Sequence, residues 1–191
     1  MTKTIDGAQA VGIDTGWLKR YYFTRAAFSI VWVCLAFTLA DHSAVVTALL
    51  LAYPAWDAIA NVVDAQRNGG IASNGTQAFN AAVSTITTIA VAIVLTHSMN
   101  DVLRVFGVWA ALAGFLQLAT AARRWKSASG QWPMIISGIQ SAAAGISFLL
   151  KANAPGAHHI TVIAPYAAFG AFYFLVAALA IAIGHARRAR Q

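Results

Sequence analysis

The chain contains no glutamate; its six acidic residues are all aspartate. Charged residues occupy only 10% of its 191 positions, against 59% hydrophobic ones, where an ordinary soluble domain carries about 25% charge. So few charges cannot surface a water-soluble domain of this length, and a disordered chain would be poor in apolar residues. The lone cysteine, Cys34, excludes an internal disulfide and a cysteine-built zinc site. There is no phosphate-cradling glycine loop, nucleophile elbow or HExxH pattern. No histidine, carboxylate and serine set converges at one depth, so no catalytic residue, cofactor or metal is expected, and the chain reads as a non-enzyme. A basic patch interleaved with aromatics is missing too, so nucleic acid is not an expected partner.

The sequence is rich instead in long apolar runs. A spanning helix needs about 20 mostly apolar residues, and six stretches qualify: 23–40, 44–65, 79–95, 102–122, 133–150 and 160–184. None carries the polar stripe of a helix packed in a soluble core, and none alternates as a spanning strand does. The expected fold is all-α, a polytopic membrane protein of six transmembrane helices. Residues 1–22 read as a cytoplasmic tail and interfacial segment, 23–184 as the transmembrane domain, and 185–191 as a basic cytoplasmic tail.

Charge sets the expected orientation. With the N-terminus inside, the inner segments hold Lys3, Lys19, Arg20, Arg25, Arg67, Arg123, Arg124, Lys126, Arg187, Arg188 and Arg190; the outer links hold only Arg104 and Lys151. The positive-inside rule then places both termini in the cytoplasm, with the basic rim facing anionic lipid headgroups. A cleavable signal peptide is not expected, because about 22 mixed residues precede the first apolar run. Trp17-Leu18-Lys19-Arg20-Tyr21-Tyr22 mixes aromatic and basic residues as the headgroup layer favours, and reads as an interface anchor.

The even helices each carry an aromatic pair three residues apart: Tyr53 and Trp56, Phe106 and Trp109, Tyr166 and Phe169. The pairs recur at spacings of 53 and 60 residues, about one helical hairpin, so three hairpins form parallel repeats, with Trp56, Trp109 and Phe169 expected at equivalent positions. Gly107-Val108-Trp109 through Gly114, followed by Gln117 and Arg123-Arg124, resembles the Gly-x-Trp-x4-Gly helix of the HdeD-like membrane proteins. Trp132-Pro133 through Gly138 and Gly145 resembles that family's glycine-spaced odd helix. The resemblance runs from about Arg25 to His185. It implies a six-helix bacterial inner-membrane protein built on a short repeat of unknown function and linked to acid and general stress resistance, with no catalytic residues to carry over. Helix two departs from the pattern, setting Pro54, Asp57 and Asn61 where helix four has Gly107, Ala110 and Gly114.

Asp57, Asn61 and Asp64 share one helix face, and Asp57 lies deep, where a charge costs about 2.5–3.5 kcal/mol by insertion scales. It is expected to face the bundle interior with no intramembrane Lys or Arg opposite it, and to stay protonated unless water or a cation arrives. Arg67 is the expected partner of Asp64, and Pro54 frees the Leu50 carbonyl. Two readings stand. In one, these groups are polar glue, with partners among Asn80, Ser84, Thr87, Thr88, Gln117 and Gln140. In the other, they form a proton or cation site. His42, His97, His158 and His159 fall on the outer side, as solvated loop residues or as pH sensors. Gly107 and Gly114, like Gly138 and Gly145, lie two turns apart and mark close-packing faces, and Gly170 reads the same way. Cys34 reads as a buried, inert thiol. The expected function is a stress-associated membrane role exercised through packing, homo-oligomerisation or partner contacts. The alternative is a small proton- or cation-coupled transporter or channel using Asp57; the two differ over whether Asp57 lines a water-filled cavity.

Overall fold

The computed structural model describes residues 15–124, 132–156 and 158–188. Lys3, Lys126, Arg190, residues 1–14 of the tail and the Ser127–Gly130 link lie outside the described residues. Among the described residues the secondary structure is entirely helical: α1 (Thr15–Thr38), α2 (Ser43–Arg67), α3 (Gly75–Val94), α4 (Met99–Arg124), α5 (Trp132–Ala152) and α6 (Ala164–Arg188). All six are long and apolar enough to cross a membrane. Two boundaries move. The aromatic-basic segment from Trp17 is the first part of α1, Trp17 stacking on Tyr21 at 5.0 Å. The sixth stretch opens as a 3₁₀ turn, Ile160–Val162, before α6 begins at Ala164. The link from α2 to α3 turns back at Gly69 and Gly70, whose φ of +97° and +93° suit glycine. Thr15, Arg188, the α2–α3 link, the end of α4 and the start of α5 lie on one face, the tail face. The three other links form the opposite turn face.

The helices close into a ring in chain order, α6 lying against α1. The extended contacts are α2 with α3, α4 with α5, and α6 with α1; the two helices within each hairpin touch far less. Each repeat therefore adheres to its neighbours more than to itself, and three looser seams surround the interior.

Burial reveals the true register of the repeat. Leu50, Phe106 and Ile163 are fully buried, as are Ala65, Ala121 and Ala178, at spacings of 56 and 57 residues. The odd helices agree: Ala36, Val91 and Phe148 are buried at spacings of 55 and 57. Tyr53, Trp109 and Tyr166 are thus equivalent, and the expected alignment of Trp56 with Trp109 is one helical turn out. Trp109 is buried whereas Phe169 is 51% exposed, which confirms that the two do not correspond. The aromatic pairs misled because Phe106 and Trp109 match the phase of the pattern while sitting one turn early.

Bulky aliphatic side chains cover the outside of the ring: Ile86 is 65% exposed, Ile93 60% and Leu150 69%. In water such a surface would forfeit about 1.5–3 kcal/mol per large side chain; lipid is the solvent it fits. Cys34 lies on this exposed surface, so it is not the buried thiol expected.

The four glycines meet between α4 and α5. A Cβ on Gly114 would stand 2.4 Å from the Ala142 nitrogen, one on Gly145 2.4 Å from the Ala111 nitrogen, and Gly107 and Gly138 face the same contact. These neighbours are backbone atoms and cannot step aside. Gly145→Ala should therefore cost about 1–3 kcal/mol of overpacking, read as a lowered unfolding midpoint in detergent. Gly75→Ala, with nothing within 4 Å of the added methyl, should leave the midpoint unchanged.

Candidate functional site

The ring encloses a cavity of about 740 Å³ to which all six helices contribute. It reaches Gly75 and Thr76, at the start of α3 on the tail face. Towards the turn face it ends at Tyr53, Trp109 and Tyr166, which meet edge to face at 5.9 and 6.2 Å. Beyond them the fully buried layer of Leu50, Phe106 and Ile163 fills the bundle.

Two of the three rings are held by a serine from the odd helix of their own hairpin. Trp109 Nε1 donates to Ser84 Oγ at 3.2 Å, Ser141 Oγ lies 3.3 Å from the Tyr166 hydroxyl, and Ser29, at the equivalent position of α1, is buried and lines the cavity with Tyr53. In this register Asp57 corresponds to Ala113 and Gly170, and Asn61 to Gln117 and Phe174. Two repeats thus place a very small residue where the first places a carboxylate, and the space they leave belongs to the cavity. Gly170 lines it, its absent Cβ lying 3.4 Å from the Tyr53 hydroxyl, so it is not the helix-packing glycine expected.

Asp57 faces the interior and is fully engaged. Its Oδ2 accepts from Ser84 Oγ at 2.8 Å and Asn61 Nδ2 at 3.0 Å, and its Oδ1 pairs with Arg25 Nη2. An intramembrane arginine therefore faces the deep aspartate, contrary to expectation. Arg25 looked like part of the basic rim because it lies near the start of the apolar run. But α1 begins at Thr15, ten residues earlier, which carries Arg25 about 15 Å inward at 1.5 Å per residue. Its guanidinium also lies 4.2 Å over the Phe174 ring and donates through Nη1 to the Tyr21 hydroxyl at 3.0 Å. Tyr21 passes the chain on to the Ala60 carbonyl at 3.2 Å. The side chains of Arg25 and Asp57 are 13% and 23% exposed.

Of the other expected site residues, Asn61 and Gln117 line the same cavity. Asp64 does not share it. It accepts from Asn68 Nδ2 at 2.9 Å and Gln77 Nε2 at 3.1 Å, and among the described residues Arg67 forms no ion pair with it. Trp32 Nε1 donates to the Leu49 carbonyl at 2.7 Å, one residue before the Leu50 carbonyl that Pro54 leaves without its helical donor. His42, His97, His158 and His159 all lie on the turn face away from the cavity. His158 Nε2 bonds the Lys151 carbonyl at 2.7 Å and the other three are exposed. Among the described residues no group of three or more His, Cys or Asp residues is placed to hold a metal ion. Arg25 and Ser84 complete the site. The serine spacing of 55 and 57 residues, parallel to the buried aromatics, is the sequence signal that finds Ser84.

Among the described residues, three buried polar atoms of the cavity lining have no hydrogen-bond partner: Arg25 Nε, Trp56 Nε1 and Gln117 Oε1. Buried polar groups are normally satisfied, and these come from three different helices.

Residues 79–150, spanning most of α3, all of α4 and most of α5, match the family model described as a short repeat of unknown function (DUF308). No curated protein and no solved structure matches the chain. The matched region holds Ser84, Trp109, Gln117 and the four packing glycines, but neither Arg25 nor Asp57. The ion pair therefore belongs to a part of the chain outside the matched repeat.

Loss of the pair should be measurable. An amide at 57 cannot balance Arg25, so Asp57→Asn should destabilise by about 1.5–3 kcal/mol, the usual worth of a hydrogen bond to a charged group. Arg25→Gln combined with Asp57→Asn should recover most of that loss. Thermal unfolding of the three variants in detergent decides; equal midpoints for Asp57→Asn and the wild type would show that the pair contributes nothing.

Proposed function

We propose that this integral membrane protein is a small proton-coupled solute carrier, with its binding site in the central cavity and Asp57 as the coupling group. The observation that carries the reading is that Asp57, paired with Arg25, lines a cavity of about 740 Å³ instead of being sealed between helices. That volume lies within the range of small-molecule sites, about 300–1,000 Å³. Ionisable groups inside a membrane characteristically mark substrate and proton pathways, and carriers built from repeats bind near mid-membrane at the repeat interface. The fully buried layer of Leu50, Phe106 and Ile163 on the turn side of the cavity favours a carrier over an open channel.

On this reading the protein performs no bond chemistry. It sits in the bacterial inner membrane with both termini in the cytoplasm, where exposed Arg20, Arg67 and Arg187 meet anionic headgroups. The resemblance to the HdeD-like proteins supports a setting in acid and general stress resistance. Homo-oligomerisation is compatible with the carrier reading, the lipid-facing surface supplying the contact.

Orientation and access are tested together in a Cys34→Ala background. Single cysteines at positions 42 and 158 should react with a membrane-impermeant maleimide from outside, and those at 70 and 187 only from inside. Ser137→Cys, in the cavity wall, should also react from the cytoplasmic side, while Phe106→Cys stays protected. An unreactive Ser137→Cys in folded protein overturns the carrier reading. Reaction of position 187 from outside reverses the orientation.

A further inference from the structure

We infer that the ligand of the cavity is a small aromatic carboxylate, bound together with one proton that Asp57 takes up; this rests on the reading of the cavity as a solute site. Arg25 is the cationic side chain among the described lining residues, and its Nε–H is buried without an acceptor. Trp56 Nε1–H, on the neighbouring helix, is in the same condition. Two unsatisfied donors, one of them on a guanidinium, call for an oxygen pair, and a carboxylate supplies two acceptors in one plane. Asp57 offers little to an amine or metal cation, because its two oxygens already accept from Arg25, Asn61 and Ser84. The walls set the rest of the ligand. Trp56, Phe79, Phe169, Tyr173 and Phe174 present aromatic surface that suits a flat apolar body. Gln117, whose amide oxygen is also without a partner, can accept from a ring hydroxyl or N–H.

Charge then dictates the proton. Asp57 faces Arg25 and Tyr21 from α1, Ser84 from α3, Trp109 and Gln117 from α4, Ser141 from α5, Tyr166 from α6, and Tyr53 and Asn61 on its own helix. Arg25 and Asp57 are the charged groups of this set, and together they are neutral. An added carboxylate leaves one uncompensated negative charge in a low-dielectric interior, which is strongly disfavoured. Uptake of a proton by Asp57 removes it: the ligand takes over Arg25, and the neutral acid keeps Ser84 and Asn61 as partners. Ligand anion and proton thus enter as a neutral pair, and Asp57 and Arg25 recombine when both leave.

The full chain in lipid nanodiscs is titrated calorimetrically with indole-3-acetate and 2-naphthoate, and with their carboxamides, at pH 6, 7 and 8 in two buffers of different ionisation enthalpy. The acids should bind with uptake of about one proton and lose about tenfold in affinity per pH unit, as one-proton linkage requires. The carboxamides should bind at least tenfold more weakly. Asp57→Asn should keep acid binding and lose its pH dependence, and the acids should raise its unfolding midpoint more than the wild type's. The folded Arg25→Gln, Asp57→Asn double variant should lose the preference for acid over amide. Equal affinity for acids and carboxamides, absence of acid binding, or binding without proton uptake overturns the inference. If an amine or sugar binds instead while Ser137→Cys remains reactive from inside, the carboxylate assignment fails and the carrier reading stands.

Discussion

An arginine carried about three turns into an apolar helix must find a counter-charge, because a largely desolvated cation left unpaired is costly. Arg25 finds Asp57 on the other helix of the same hairpin, where the backbones stand apart and long side chains such as Tyr21 and Trp32 reach across. The pair therefore does more than neutralise two charges. It ties a loose seam of the ring, and Ser84 and Asn61 extend the tie to α3 and along α2. Phe174 covers the guanidinium from α6, so four of the six helices are joined at one depth through polar or cation–π contacts. Hydrophobic contact gives little net attraction between helices in lipid, which leaves packing and polar contacts to hold a bundle together.

The ring uses both means in different places. Between α4 and α5 backbone approaches backbone, and glycine alone permits the distance. At the α1–α2 seam the chain uses charge. The three repeats share a buried frame, including the alanines 65, 121 and 178 and the serines 29, 84 and 141, yet they differ at the position of Asp57. Ala113 and Gly170 stand there in the second and third repeats. Symmetric residues make the frame and the closed layer on the turn side; asymmetric ones make a cavity with a single charged wall. A site built at a pseudo-symmetric centre needs such a break, because three equal carboxylates around one axis would repel each other without compensation.

The helices were legible in the sequence because continuous apolar runs of this length have one stable home, and the helix count follows from the interruptions. The interior orientation of Asp57 was legible for the same reason: lipid cannot host it. The four packing glycines were legible as a face through their seven-residue spacing, though not the helix each would meet. Arg25 was missed because hydropathy marks where a run begins, whereas the helix begins earlier, among polar and aromatic residues from Thr15 that the headgroup layer tolerates. Asp64 was assigned to Arg67 on helical spacing, but Gln77 across the α2–α3 seam and Asn68 beyond the helix end are closer.

The sequence by itself determined the solvent, the helices and the existence of a repeat, since these depend on local composition and on spacing along one chain. Only the tertiary structure decided the register of the repeat, the partner of Asp57 and the presence of a cavity. Each of these depends on how far one helix slides past another. A slide of one turn moves a residue by 5.4 Å while leaving the apolar pattern almost unchanged, so hydropathy scarcely senses it. An ion pair or a cavity wall is made or lost within that distance.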